Sequence, residues 1–532
     1  MTATVSPLSA PSQRVEARVD RRAWIAVLAG MLGAFMALLD IGITNSSLKH
    51  ILGTLSATQE EGSWISTAYL VAEIIAIPLT PLFTRVFGLR TYLVANTALF
   101  LLFSTLCGAA WNLPSMIAFR ALQGFASGAL IPMAMTLVVM KLPASRRAAG
   151  MGLFGLTAML APTLGPTVGG YLSEAHGWPS IFYINWAPGL LLIAGVLHGL
   201  DREPMRLQRL LDADWIGIAL MATGLGALTV FLEEGNARDW LESEFIATAA
   251  ALAIVGLLGW AAHSAAHPEP FVALSLFGHR NFAVATVLAA VTGLGLYGSS
   301  FLLPLYLGQI AGYTPMQIGE VIMWAGLPQL VMMPVAARMS TRIDNRVLCT
   351  FGLAMFGLSC LMNTSLDATT GYDQLLFSQV VRALGQPFIV LTIGNFAMHR
   401  IPARDTASAS SLYNMVRNLG GSVGIALLSS TLVNRANFHA ARLGEWVTAY
   451  GGPTRERLET LSAMLLPNGG DPEASGGRAL QIIDHLVLRE AYVMAYNDSF
   501  QFIAISFFGC IAAIWFADRI TAPSRDDAQK AH

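Results

Sequence analysis

Five charged side chains stand inside stretches that are otherwise apolar: Asp40, Glu73, Arg120, Arg382 and Arg417. A charge near the centre of a bilayer costs at least about 2.5–3.5 kcal/mol on insertion scales, so such residues need a partner, water or a function. Burial favours the protonated form of a carboxyl group, and a nearby guanidinium opposes this. Two carboxylates and one arginine in one region therefore make a candidate proton-binding group, with an affinity that conformation or cargo can change. Asp40, Glu73 and Arg120 are assigned to it. Asp40 and Arg120 also have structural readings: a hydrogen bond from Asp40 to Asn45 or nearby backbone, or an Arg120 that organises backbone carbonyls; a Glu73 near the midplane has few. Arg382 and Arg417 are read either as packed partners of carbonyls or ions between helices, or as cavity-lining groups that meet anionic cargo. Asn45, Gln123, Tyr413 and Asn414 lie close to these charges in sequence and are candidate cavity or charge partners.

Other chemistry is not indicated. The chain has no HExxH, no glycine-rich phosphate loop before a lysine and no Cys/His metal spacing, so neither an enzyme nor a metal or cofactor site is expected. Cys107, Cys349, Cys360 and Cys510 fall in or beside apolar runs without a CxxC pair and read as small buried hydrophobes.

The elements that must hold these residues follow from composition. Of 532 residues, 54% are hydrophobic and 12% charged, with a net charge of -1. Soluble domains carry about 25% charged residues. A disordered chain and a basic nucleic-acid binder are both excluded. About fourteen apolar runs recur, each near the roughly 20 residues that cross a hydrocarbon core. The last is placed at 498–517. An all-α integral membrane protein is expected, with a leader at 1–22, a six-helix bundle at 23–200 and two linking membrane helices at 201–280. A second six-helix bundle follows at 281–520, carrying a long outer loop at 434–497, and then a tail at 521–532. With the amino terminus inside, 21 of the 32 Lys and Arg residues fall in cytoplasmic segments, and the short outer loops hold only Lys49 and Arg238. This bias puts both termini in the cytoplasm. Asp40 and Arg120 then share a layer, roughly 8–9 Å below the outer surface.

Two segments repeat. Phe119-Arg120-Ala121-Leu122-Gln123-Gly124 precedes Leu142-Pro143-Ala144, and Val381-Arg382-Ala383-Leu384-Gly385-Gln386 precedes Ile401-Pro402-Ala403. Parallel repeats of bundles are a transporter design, with the substrate site between the halves. The fifth run contains Pro162, Gly165, Pro166, Gly169 and Gly170. Small residues at this spacing let helices approach closely, and the prolines bend them, as a rocking bundle requires. Met36, Trp64, Tyr69, Tyr297, Met323 and Trp324 are candidate cavity-lining side chains, although for each one ordinary packing is the better-supported reading.

These motifs together resemble the major facilitator superfamily, in its fourteen-helix drug:proton antiporter branch of EmrB-type multidrug exporters. Leu39-Asp40 followed by Asn45 is similar to the first-helix signature, Arg120 to Gly124 to the fourth-helix motif, and Gly165 to Gly170 to the fifth-helix antiporter motif. Trp178, Phe182, Asn185, Pro188, Asp239-Trp240, Arg417 and Gly420-Gly421 add to the likeness, which covers nearly all of 20–520. The loop after the second helix departs from it. In Pro81-Leu82-Phe83-Thr84-Arg85-Val86-Phe87-Gly88 only Gly88 fits, and the residues of the relatives' charge latch are missing.

The resemblance implies a proton-coupled antiporter that exports amphipathic drugs or toxic small molecules across a bacterial inner membrane by alternating access. Protons are the coupling ion. A periplasmic membrane-fusion adaptor and a TolC-type outer-membrane channel are the implied partners. A transporter for one metabolite, such as an organic anion or siderophore, is the alternative. Within the outer loop, Leu458, Leu461 and Leu465, and then Leu480, Ile483, Val487 and Met494, repeat at helical spacing and suggest docking pieces.

Overall fold

A lipid-facing backbone must satisfy its own hydrogen bonds, which leaves helices as the solution for apolar runs of this length. The computed structural model describes residues 21–267, 272, 274–448, 451–465 and 472–519. Residues 1–20 of the expected leader and the tail at 521–532 lie outside the described residues. Fourteen long helices account for most of the described chain. They are α1 Arg21–Leu55, α2 Gln59–Phe87, α3 Leu89–Gly108, α4 Leu113–Lys141, α5 Ala144–His176, α6 Ser180–Gly199 and α7 Trp215–Glu234. The rest are α8 Glu244–Ala266, α9 Arg280–Gln309, α10 Pro315–Ser340, α11 Asn345–Met362, α12 Tyr372–Met398, α13 Thr406–Gly444 and α14 Pro472–Ile514. No strand occurs among the described residues.

Local chemistry sets several ends. Thr58 caps α2 and Glu61 reaches back 2.9 Å to its backbone N–H, a reciprocal pair that fixes where the helix starts. Gly88 ends α2 at φ 77, a backbone state that glycine adopts without strain. α4 is interrupted at Gly128 and Ala129, and α5 bends by 42° beside Pro162. A proline removes one backbone hydrogen bond and crowds the preceding turn, which accounts for the bend.

α1–α6 pack among themselves, as do α9–α14. Within the first half α1 crosses α5 closely: a side chain on Gly165 would meet the backbone of Gly42 at 2.9 Å. Gly170, read from the sequence as part of the same close-packing motif, has nothing within 4 Å and takes no part in this contact. α7 and α8 form a tight pair through Gly224 and Gly256. α7 makes the main contact with the halves, resting on α2 and α13 at the seam between them, while α8 reaches α2 through Phe245 on Trp64. α8 is only 22% buried over its apolar window, and Ile254, Val255 and Leu258 face outward, as lipid contact requires; the α4 window is 89% buried.

The stretch at 434–497, read from the sequence as a loop, is largely helical where it is described. α13 has 39 residues and α14 has 43, so at about 1.5 Å per residue each runs to roughly 60 Å, about twice the hydrocarbon thickness. α14 thus begins well before the apolar run at 498–517, because its polar first turns gain from the short helix Gly452–Leu465 packed against them. Asp498 clasps the pair, with Arg435 Nε 2.5 Å and His439 Nε2 2.7 Å away.

The α1–α5 crossing makes a direct test. Gly165→Leu is expected to cost about 2 kcal/mol or more of stability, because the clash is with backbone that cannot rotate away. Gly170→Ala is expected to be neutral or to stabilise by up to about 1 kcal/mol. Melting of both variants in detergent measures the difference.

Candidate functional site

The charged residues separate into three groups. The first is closed. Arg120 Nη1 donates to Asp40 Oδ2 at 2.5 Å and to Gln123 Oε1 at 2.8 Å. The other oxygen of Asp40 accepts from Gln123 Nε2 at 3.0 Å and Asn185 Nδ2 at 3.1 Å. Arg120 Nε reaches the carbonyl of Ile65 at 3.4 Å, and the guanidinium lies 4.2 Å from the Tyr69 ring centroid. Asp40, Arg120, Gln123 and Asn185 are all buried, on α1, α4 and α6. This is a satisfied network in the core of the first half, and the geometry supports the organising reading of Arg120 as well as the charge-partner one. The expected structural bond from Asp40 to Asn45 does not form; Asn45 instead accepts from Ser66 at 2.7 Å.

The second group holds Glu73. Its carboxyl group is 2% exposed, and its Oε1 has no hydrogen-bond partner. It makes no hydrogen bond or ion pair with Asp40 or Arg120, so the expected three-residue cluster is one pair and one separate acid. Glu73 lines a cavity of about 260 Å³ at the seam of the halves, with Asn45, Glu233, Tyr297, Phe301 and Asn418. α4 allows this arrangement: a side chain on Gly128 would meet the Glu73 carbonyl at 2.7 Å.

The third group lies in the second half. Arg382, Tyr413 and Arg417 line a cavity of about 120 Å³ with Gln329, Gln379 and Gln386. Arg382 donates to Ser300 Oγ at 3.2 Å and to Gln386 Oε1 at 3.4 Å, and stacks 5.2 Å from the Phe356 centroid. Among the described residues it has no ion pair with a carboxylate, unlike its repeat counterpart Arg120. Arg417 Nε is buried without a hydrogen bond. Pro162 and Pro166 of α5 form part of the same wall. Leu38 and Tyr297 separate the two cavities and line both. Asn414 is not in either lining; it bonds the Ser410 carbonyl at 2.8 Å and lies 3.8 Å from Met135 Sδ across the seam.

Several cavity residues went unnoticed in the sequence. Gln329, Gln379, Gln386 and Ser300 are polar but uncharged, and such residues are common on membrane helices. Of the six proposed lining aromatics and methionines, Tyr297 alone is in either cavity; Tyr69 packs on Arg120, Trp64 on Phe245 and Trp324 on Tyr372. Glu233 sits at the end of an apolar run, where a snorkelling side chain is the ordinary case.

The halves meet at their inner ends. Ser410 Oγ donates to the Pro132 carbonyl at 2.8 Å, and Gly152 and Gly155 of α5 pack on α10. Arg85, at the acidic position of the degenerate loop, reaches Ser408 Oγ at 3.4 Å. A hydrogen bond from a guanidinium to a neutral hydroxyl therefore crosses the seam where the residues of a charge latch are missing. Far from the cavities, Asp214, His263 and His267 bring one ligand atom each within 4.8 Å of one another at the inner ends of α7 and α8, with His263 Nε2 2.7 Å from Asp214 Oδ1. The sequence signal was two histidines four residues apart, on one helix face, and an acid far away in the chain. They are the described residues best able to hold a divalent ion.

The closed network and the open acid respond differently to neutralisation. Asp40→Asn leaves a buried guanidinium uncompensated and is expected to cost about 3–5 kcal/mol. Glu73→Gln removes no ion pair and is expected to leave the melting temperature unchanged or raised. Thermal unfolding of the two purified variants distinguishes them.

Comparison with known proteins places this geometry. The family model described as Major Facilitator Superfamily matches residues 30–425. The chain is 32% identical over 499 residues to the colistin resistance protein EmrB of Acinetobacter baumannii, covering 94% of this chain and 97% of the relative. It is 30% identical to the fatty acid resistance protein FarB of Neisseria gonorrhoeae, covering 93% and 96%. It is 29% identical to the multidrug export protein EmrB of Escherichia coli, covering 93% and 95%. Among solved structures, the human organic anion transporter MFSD10 superposes with a TM-score of 0.59 at 13% identity, over 92% of this chain and 99% of that one. The proton:xylose symporter XylE gives 0.57 at 12% identity, over 96% and 99%.

Proposed function

This chain belongs to the major facilitator superfamily, as a multi-pass transporter of the inner membrane, and from that membership we propose that it is a proton-coupled antiporter exporting amphipathic small molecules by alternating access. The observation that carries the reading is Glu73: a carboxyl group buried in the seam cavity with an oxygen that no protein group satisfies. An ion in that position is costly, so protonation and cargo binding compete to resolve it. In the state described here the inner ends are joined. A proton arriving from outside neutralises Glu73 and lowers the cost of occluding the cavity. Rocking about the α1–α5 and α5–α10 contacts then opens the inner side, where the proton leaves and cargo enters. The bend at Pro162 and Pro166 gives α5 the shape to follow the moving half. Asp40, held by Arg120, Gln123 and Asn185, keeps the first half rigid and sets the field at Glu73.

Amphipathic cargo is supported by the cavity walls, which are mostly apolar, and by relatives named for resistance to colistin, to fatty acids and to multiple drugs. A second reading, export of an organic anion, is favoured by Arg382 and Arg417, which line the smaller cavity without a carboxylate partner. The extended α13–α14 pair suits docking to a periplasmic adaptor that leads to an outer-membrane channel. Trp446 is 84% exposed, and Met464 and Leu480 of the same extension are also exposed.

In proteoliposomes, Glu73→Gln is expected to reduce pH-gradient-driven flux to background while cargo binding persists. Gradient-dependent flux in this variant would defeat the coupling role. Replacing 446–484 with a short flexible linker is expected to abolish resistance in cells and leave proteoliposome flux intact. Unchanged resistance counts against the docking role.

A further inference from the structure

The outer end of α7 is pinned to both halves. Glu234 accepts from Ser63 Oγ at 2.9 Å and Thr67 Oγ1 at 2.7 Å on α2, with Arg238 3.7 Å away. On the other side Asn236 donates to Ser429 Oγ at 2.9 Å, and the Trp240 indole donates to Ser430 Oγ at 3.1 Å on α13. Asp239 and Trp240 are held at positive φ, 56° and 54°, which a non-glycine backbone adopts only when its surroundings enforce it. The segment is therefore fixed in place rather than lying loosely on the lipid side.

Glu233 precedes Glu234 and points elsewhere, into the 260 Å³ cavity that holds Glu73. Its Oε1 is buried without a hydrogen-bond partner, as are Glu73 Oε1 and Asn418 Oδ1 in the same cavity. Three acceptors thus converge on one space from α2, α7 and α13. No Lys or Arg is among the lining residues. The charges that act on this cavity sit outside its lining: Arg120 is paired with Asp40, Arg417 lines the other cavity, and Glu234 takes its bonds from α2 with Arg238 beside it. The rest of the lining combines the apolar and aromatic side chains of Leu38, Ile41, Leu70, Tyr297 and Phe301 with the neutral polar groups of Asn45, Ser66, Thr229 and Ser422. Ser422 hydrogen-bonds the Glu233 carboxyl group, whose Oε1 stays without a partner. Buried acceptors without donors are costly, and a ligand that supplies positive charge relieves them. Aromatic faces favour the same ligands.

We propose that Glu233, contributed by the added helix pair, is a cargo-binding residue of the transport cavity, and that with Glu73 it selects organic cations over anions. This rests on the reading of that cavity as the cargo site. It gives the α7–α8 pair a direct part in recognition, beyond the twelve helices of the two halves.

Tetraphenylphosphonium and tetraphenylborate have nearly one shape and opposite charge, so they report charge selection alone. Binding is measured on the full chain in detergent without a gradient, for the parent, Glu233→Gln and Glu233→Asp. The parent is expected to bind the cation more tightly. Glu233→Gln should weaken cation binding by about tenfold or more and leave tetraphenylborate equal or tighter, and Glu233→Asp should restore part of the loss. A cation affinity within about twofold of the parent in Glu233→Gln would overturn the proposal. So would equal loss of both probes, which marks a structural role, or a parent that does not prefer the cation. Gradient-driven flux of a neutral cargo, assayed separately, tests the transport reading itself; flux that persists while the probes fail to discriminate counts against Glu233 alone.

Discussion

The cost of an unsatisfied charge in a low-dielectric interior governs this molecule. The Asp40–Arg120 pair shows the constraint met in full. Its carboxylate accepts from Arg120, Gln123 and Asn185, and the guanidinium also reaches a backbone carbonyl and a tyrosine face. Such a network adds little net stability over well-packed apolar residues, but losing one member is costly. It therefore acts as a specifying device, tying α1, α4 and α6 in one arrangement. The first half can then move as a unit.

Against that rigid reference, the groups left unsatisfied are informative. Glu73, Glu233, Asn418, Gln329, Gln379 and Arg417 each have a buried atom without a partner, and all line the two seam cavities. Unpaired buried atoms also occur elsewhere, at Thr44, Asn96, Asn345 and Thr350 among others, but the carboxyl oxygens of Glu73 and Glu233 and the Nε of Arg417 bring ionisable groups to the seam. The repeated arginines differ in pairing too. Arg120 is locked to an acid, whereas Arg382 has only a serine hydroxyl and a glutamine amide oxygen within hydrogen-bond distance. The two similar sequence motifs thus place an ion-paired arginine in one half and a cavity-lining arginine in the other.

The seam also explains the two linking helices. α8 faces lipid and contacts mainly α7, so the pair could be read as a spacer. The outer end of α7 nevertheless bonds to α2 on one side and its following turn to α13 on the other, bridging the halves beside the larger cavity. An element that touches both moving bodies and the cavity is placed to sense their relative position.

The sequence by itself determined the class and the count. Runs of about twenty apolar residues leave only helices, and the Lys and Arg asymmetry orients them, because hydrophobic length and loop charge are local properties. It also identified the intramembrane charges, since their cost depends only on where they sit along an apolar run. Pairing was decided by the fold. Asp40 and Arg120 are 80 residues apart, and the periodicity of one helix says nothing about the rotation of another. For the same reason Glu73 could not be separated from that pair, nor Glu233 assigned to a cavity, nor Gly170 removed from the close-packing stripe. In the outer extension the helical spacing of Leu458, Leu461 and Leu465, and of Leu480 to Met494, was legible, but the continuity of α13 and α14 beyond the membrane was not, because polar helices carry a weak pattern and gain stability from the neighbour against which they pack.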